Sequence, residues 1–177
     1  MVTKEKLVDI FKAAVSKDKL RAVFNYVMFN GSSAVACDGM VLVELPFKTT
    51  TRFAVNPKTK EMYPIDRRTF TVAGEQYNLP NFGDIRPNID LLREYATIST
   101  VSRFNPDGRV KIGENNFSGE NLNTVLSIAE KLGIKKVVLA PYDQSIKALY
   151  IKAEEGFDAI VTYNDIYKPY IEILEEN

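Results

Sequence analysis

The chain has 177 residues, 45% of them hydrophobic, enough for a sizeable core in one domain or two small ones. Lys plus Arg number 23 and Asp plus Glu number 23, so the net charge is zero. This argues against a strongly basic nucleic-acid binder and leaves such contacts to local patches. With no histidine and a single cysteine, Cys37, the composition excludes Ser-His triads, histidine acid–base chemistry, an internal disulfide and a zinc cluster.

The first residues, Met-Val-Thr-Lys-Glu-Lys-Leu, carry no apolar leader, and no run is long enough to span a bilayer, so a cytoplasmic location away from membranes is expected. Thr3 is placed to cap a helix reaching about residue 16, with Leu7, Ile10, Phe11, Ala14 and Val15 on one apolar face. Residues 20–47 then read as three strands, over 22–29, 34–37 and 40–45, with Pro46 ending the third. Asn30-Gly31 and Asp38-Gly39 separate them and predict type I′ hairpin turns, which need positive φ at both central residues. Phe24, Tyr26 and Phe29 in this run read as core, not as a platform for stacking bases. Cys37 reads as a small buried hydrophobe.

Residues 49–55 and 61–63 predict a further hairpin about Asn56-Pro57-Lys58-Thr59, and 67–72 another strand. The Gly-, Pro- and Asn-rich stretch 74–88 reads as a connector, after which Asn88 caps a short helix with Leu91, Leu92 and Tyr95 on one side. A strand over 97–104 is expected to pair with one over 109–112 through an Asn105-Pro106-Asp107-Gly108 turn in which Gly108 supplies positive φ. Ser118 caps the second clear helix, Gly133 ends it, and Leu122, Val125, Leu126, Ala129 and Leu132 form its apolar face. Three more strands come next, over 136–140, 146–153 and 157–163, with turns at 141–143 and 154–156. The tail, 164–177, is expected to pack on the body or to dock a partner through Tyr163, Tyr167 and Tyr170.

Leu7, Ile10, Phe11 and Ala14 recur at the same spacing as Leu122, Val125, Leu126 and Ala129, and each helix precedes three strands. This predicts an α+β fold of two helix-plus-three-strand motifs, about 3–45 and 109–163, with 48–95 as an inserted connector in a single domain, 1–177. Chance recurrence of two such units in an α+β protein is the alternative.

These residues resemble the DNA sliding-clamp family of processivity factors, which includes the bacterial β clamps and PCNA. Residues 34–42, Ala-Val-Ala-Cys-Asp-Gly-Met-Val-Leu, look like the threonine-aspartate-glycine hairpin segment of the bacterial clamps. Residues 109–112, 122–132 and 137–139 have that family's strand-helix-strand order, and 146–163 are similar to its closing hairpin. The resemblance implies a DNA-clamp-like domain without catalysis or cofactor, duplex DNA and a polymerase or other replication protein as partners, and assembly of one-domain copies into a homo-oligomer. It also implies sequence-independent phosphate contacts from helix cations, because a sliding contact favours no base. The candidates are Lys6, Lys12, Lys17, Lys19, Arg21 and Lys131. Each by itself reads better as a plain solvated lysine or arginine, only the set on one face being informative, and the second helix, with Asn121, Asn123, Thr124, Ser127, Glu130 and Lys131 outward, is nearly neutral. Two further readings stand beside it. One is a clamp-fold adaptor that binds a protein or peptide without encircling DNA. The other is a small enzyme using carboxylate or lysine chemistry, for which no paired-carboxylate, metal-loop or phosphate-loop spacing is present.

Overall fold

The computed structural model describes residues 1–164 and 168–177, and these divide into two compact units, 1–81 and 82–177. In the first unit, α1 (Lys4–Phe11) begins where the Thr3 hydroxyl accepts the Lys6 N–H, and a 3₁₀ turn (Lys12–Ala14) continues it. Leu7, Ile10, Phe11 and Ala14 are buried, as the periodicity predicts, while Val15 is only half-buried. Leu7, Ile10 and Phe11 each contribute roughly 1.5–3 kcal/mol on full burial, which holds a helix too short to persist alone.

The first strand is shorter than the sequence suggests. Asp18 accepts the Leu20 N–H and starts a 3₁₀ segment over Lys19–Asn25, so only Val27–Phe29 (β1) pairs as a strand. β2 (Ser33–Cys37) and β3 (Val41–Pro46) continue the chain as an antiparallel meander. Both of its turns are tight, as predicted, but they are not type I′. Phe29 pairs with Ala34 and Cys37 with Leu42, which places Gly31-Ser32 and Gly39-Met40 in the central positions. Only the glycines have positive φ, 97° and 95°, the signature of type II′. Asn30 and Asp38 instead close the turns, their side-chain oxygens accepting Ser32, Ser33, Met40 and Val41 N–H groups at 2.8–3.1 Å.

β4 (Phe53–Val55) and β5 (Met62–Pro64) form the predicted hairpin, and the unit's main sheet runs β5-β4-β1-β2-β3. The stretch read as the start of a connector contains a strand: β6 (Thr69–Val72) pairs with β7 (Glu75–Asn78). Its turn, Ala73-Gly74, has φ of 50° and 80° and is the type I′ turn of the unit. Alanine disfavours that region, so composition does not announce the hairpin. Packing does: Tyr26, Ala54, Ile65 and Phe70 form a cluster flanked by Tyr63 and Tyr77, with Tyr26 and Phe70 rings edge-on at 5.1 Å.

In the second unit, Asn88 caps a single 3₁₀ turn (Ile89–Leu91), not a longer helix, and β8 (Ala96–Ser99) is cut short of residue 104. β9 (Gly108–Ile112) pairs antiparallel with β10 (Asn115–Ser118), not with the 97–104 segment as the turn suggested. The intervening loop is held elsewhere: Asn123 accepts the Phe104 N–H and donates to the Phe104 carbonyl, both at 2.8 Å. Gly108 does not have positive φ. Its place is a close approach of strands: a Cβ there would lie 3.0 Å from the Tyr170 carbonyl oxygen, tighter than ordinary contact.

α2 (Gly119–Lys131) starts at the Ser118 hydroxyl, which accepts the Asn121 N–H at 3.3 Å, and gives way to Gly133 at φ 82°. Leu122, Val125, Leu126 and Ala129 are buried, with Ile128 added to the predicted face and Leu132 only half-buried. β11 (Lys136–Asp143), β12 (Lys147–Lys152) and β13 (Asp158–Thr162) form the expected meander, in the order β13-β12-β11-β8. Residues 141–143 continue β11 instead of turning. Pro141 is tolerated there because β8 pairs only as far as Leu139, so the missing N–H faces no second strand. In the tail, β14 (Tyr170–Leu174) lies parallel to β9, and the second sheet runs β10-β9-β14.

Candidate nucleic-acid interface

α1 dictates the first part of the site. With Leu7, Val8, Ile10 and Phe11 turned inward, Asp9 occupies the middle of the exposed face, with Lys6 three residues before it and Lys12 three after. Lys60, brought from the β4–β5 turn by a left-handed φ of 67°, ion-pairs with Asp9. The Lys60 hydrogen bond and charge, aided by Lys12, hold the Asp9 carboxyl below its usual range. The face therefore carries Lys6, Lys12 and Lys60 against Glu5 and Asp9. Lys60 is a cation that sequence spacing does not assign to it, since 51 residues separate it from Asp9.

The remaining candidates belong to other elements. Lys17 and Lys19 are exposed on either side of Asp18, whose carboxylate is committed to the adjoining 3₁₀ segment. Arg21 arches over the β2–β3 turn, its Nη1 3.5 Å from the Asp38 carbonyl oxygen. A Cβ on Gly39 would come within 2.4 Å of that nitrogen, so the glycine makes room for the guanidinium. Lys131 belongs to the second unit, exposed at the end of α2, where it complements the helix dipole. Beside it Glu130 pairs with Arg103. The outward surface of α2 is thus as close to neutral as its sequence.

Two clefts open in the second unit. One, of about 750 Å³, is lined by Lys135, Lys136 and Lys152 and by Glu94, Glu154 and Glu155, with Lys152 and Glu94 2.9 Å apart. Three cations against three carboxylates do not select an anion. The other, of about 550 Å³, is likewise mixed, with Arg93 and Lys147 against Glu114, Asp143 and Glu176. Burial pushes the Cys37 thiol up to about 11, which removes it as a nucleophile at neutral pH. Among the described residues no group of three or more Cys, Asp or Glu side chains could hold a metal, and no helix is long and apolar enough to cross a membrane.

No protein-family model matches the chain, and no curated protein matches it. Solved structures do. The DNA polymerase III beta subunit of Thermotoga maritima superposes with a TM-score of 0.59 at 10% identity, over 93% of this chain and 63% of that one. The DNA polymerase sliding clamp of Bacillus subtilis gives 0.60 at 12%, over 92% and 62%. The DNA polymerase III subunit beta of Borrelia burgdorferi gives 0.60 at 11%, over 92% and 61%. The chain therefore has the sliding-clamp fold, and it spans less than two thirds of the length of each of these proteins.

Proposed function

We propose that this chain is a non-catalytic clamp protein of DNA replication or repair, which contacts duplex DNA without regard to sequence and serves a polymerase or another replication protein. The observation that carries the reading is the sliding-clamp fold, shared over 92–93% of the chain with proteins described as DNA polymerase clamps and beta subunits. Residues 1–177 are read as a single clamp-like domain of two helix-plus-three-strand motifs joined through 48–95, and copies of it as a cyclic homo-oligomer. Lys6, Lys12, Lys17, Lys19, Arg21 and Lys131 are the proposed phosphate contacts. Electrostatic contact of this kind weakens linearly with the logarithm of salt and is indifferent to sequence. Fluorescence anisotropy with two unrelated duplexes across a salt series tests it. Equal affinities with a steep salt slope are expected, and no binding at about 50 mM salt sinks the reading.

A second reading is favoured by two observations: Asp9 stands among the α1 cations, and the α2 surface is nearly neutral. This is the clamp-fold adaptor, which binds a protein or peptide and does not encircle DNA. Of the tail aromatics proposed for that role, Tyr163 is half-buried under Lys147, Tyr170 is exposed on β14, and Tyr167 lies outside the described residues. Absence of duplex binding, together with saturable binding of a protein that Tyr170→Ala abolishes, is the outcome that selects it.

A further inference from the structure

We infer that the outer edge of β14 is a self-pairing surface, through which two copies of this chain join antiparallel about a two-fold axis at Glu172. β14 is the last strand of its sheet among the described residues, with β9 as its one strand partner, and at its end the Leu174 carbonyl accepts the Tyr95 hydroxyl at 2.9 Å. An edge strand of this kind is usually blunted by lysine, proline or a bulge, or covered by another segment. Two other strand edges of this unit, those of β8 and β10, are met by another segment. Along β8, Asn177 donates its backbone N–H to the Tyr95 carbonyl at 3.1 Å, and its side-chain amide pairs with both backbone groups of Thr97 at 3.0 and 3.2 Å. Along β10, the Asn164 N–H reaches the Asn116 carbonyl at 3.0 Å.

β14 instead presents apolar side chains. Tyr170, Ile171 and Ile173 are 57%, 51% and 65% exposed, and they make up three of the nine large exposed hydrophobic residues among those described. Such crowding into four consecutive residues distinguishes an interaction surface from scattered exposure. The residue order names the occupant. Tyr170-Ile171-Glu172-Ile173-Leu174 has nearly the same pattern in both directions. An antiparallel partner centred on Glu172 sets Ile171 against Ile173 of the second copy, Ile173 against its Ile171, and Tyr170 against its Leu174. Centring on Ile171 sets Glu172 against Tyr170, and centring on Ile173 sets it against Leu174, so of these three registers the one on Glu172 matches apolar to apolar. The one unfavourable pair, Glu172 with its copy, is relieved within each chain, where Glu172 Oε1 accepts the Asn105 N–H at 2.9 Å. The resulting contact is isologous and self-closing, distinct from head-to-tail assembly.

Nothing in this pairing involves DNA, so duplex binding tests the proposed function without it, whereas a chain that stays monomeric removes both this pairing and the homo-oligomer proposed above. Sedimentation equilibrium of the full chain over a wide concentration range is the test. A monomer–dimer equilibrium is expected, and Ile171→Lys combined with Ile173→Lys should raise its dissociation constant about 100-fold by placing lysines opposite one another. Both side chains are exposed, so an unchanged circular dichroism spectrum accompanies the loss. Glu172→Cys should form an intermolecular disulfide that neither the wild-type chain, with Cys37 alone, nor Glu94→Cys forms. A chain that is monomeric at every concentration overturns the inference. So does an assembly indifferent to the double lysine variant, or one in which Glu172→Cys cross-links no faster than Glu94→Cys.

Discussion

Gly119→Ala sets local propensity against tertiary packing with opposite signs. Gly119 is the first residue of α2, and a helix prefers alanine to glycine by up to about 1 kcal/mol, less in the first turn. Restricting the unfolded chain adds to that preference, with roughly 0.4–1 kcal/mol for the whole exchange at a compatible site. The structure opposes it. A Cβ on Gly119 would lie 2.2 Å from the Asn105 carbonyl oxygen, 3.1 Å from the Asn105 carbonyl carbon and 3.3 Å from the Gly108 oxygen. All three are backbone atoms. The Asn105 loop cannot retreat easily, because Asn123 clasps the neighbouring Phe104 backbone from α2 and Glu172 holds the Asn105 N–H. Overpacking a fixed site costs about 1–3 kcal/mol, so the net expectation is a loss of about 1–2 kcal/mol. Urea unfolding monitored by circular dichroism and by tyrosine fluorescence measures it, the two probes also reporting whether the chain unfolds in one step. Gly74→Ala is the control, since no atom lies within 4 Å of its Cβ position and only its φ of 80° opposes the change. A Gly119→Ala chain as stable as the wild type, or more stable, refutes the packing argument.

Ser118→Ala removes the α2 cap and should cost about 1 kcal/mol in the same unfolding experiment, with Ser118→Asp recovering most of it. Tyr142 and Tyr150 lie on the sheet face opposite Leu149 and Ile151, where Tyr142 donates to the Ile85 carbonyl at 2.7 Å and Tyr150 to Asp158 at 3.0 Å. Burial pushes both phenols up to about 12 from 10.0, with the Asp158 charge adding to the effect at Tyr150. Between those values the unfolded chain has released protons that the folded one retains, so their contribution to stability is complete below pH 10 and is lost as pH rises through 12. Alkaline absorbance titration should show these phenolates lagging free tyrosine, and Asp158→Asn should bring Tyr150 back toward the normal range. Lys60→Ala should return the Asp9 carboxyl toward 3.8 in a nuclear magnetic resonance titration. If the α1 face touches phosphates, Asp9→Asn should tighten duplex binding several-fold at low salt, while unchanged affinity places the contact elsewhere.

Both helices, most of the strands and the tight turns of the meander are set by local chemistry. Thr3 and Ser118 offer capping oxygens, Leu7 to Ala14 and Leu122 to Ala129 repeat with helical period, and Gly31 and Gly39 admit a backbone that other residues resist. Such signals reside in a few neighbouring residues, so the order of amino acids determines them and carried the resemblance that the solved structures match in fold. The pairing of distant segments was decided only by the tertiary structure. Residues 97–104 and 109–112 look like a hairpin, yet β8 joins β11 and β9 joins β10 and β14, because Asn123 and the close approach of Tyr170 to Gly108 reward those contacts more. The Ala73-Gly74 turn contradicts alanine's own preference and is held by the Tyr26–Phe70 cluster. The candidate interface divides the same way. That Lys6, Lys12, Lys17, Lys19, Arg21 and Lys131 are exposed cations is written in the chain. That Lys60 reaches Asp9 and Arg21 folds over Gly39 is a property of space, since a charge acts over a few ångströms and not over a sequence interval.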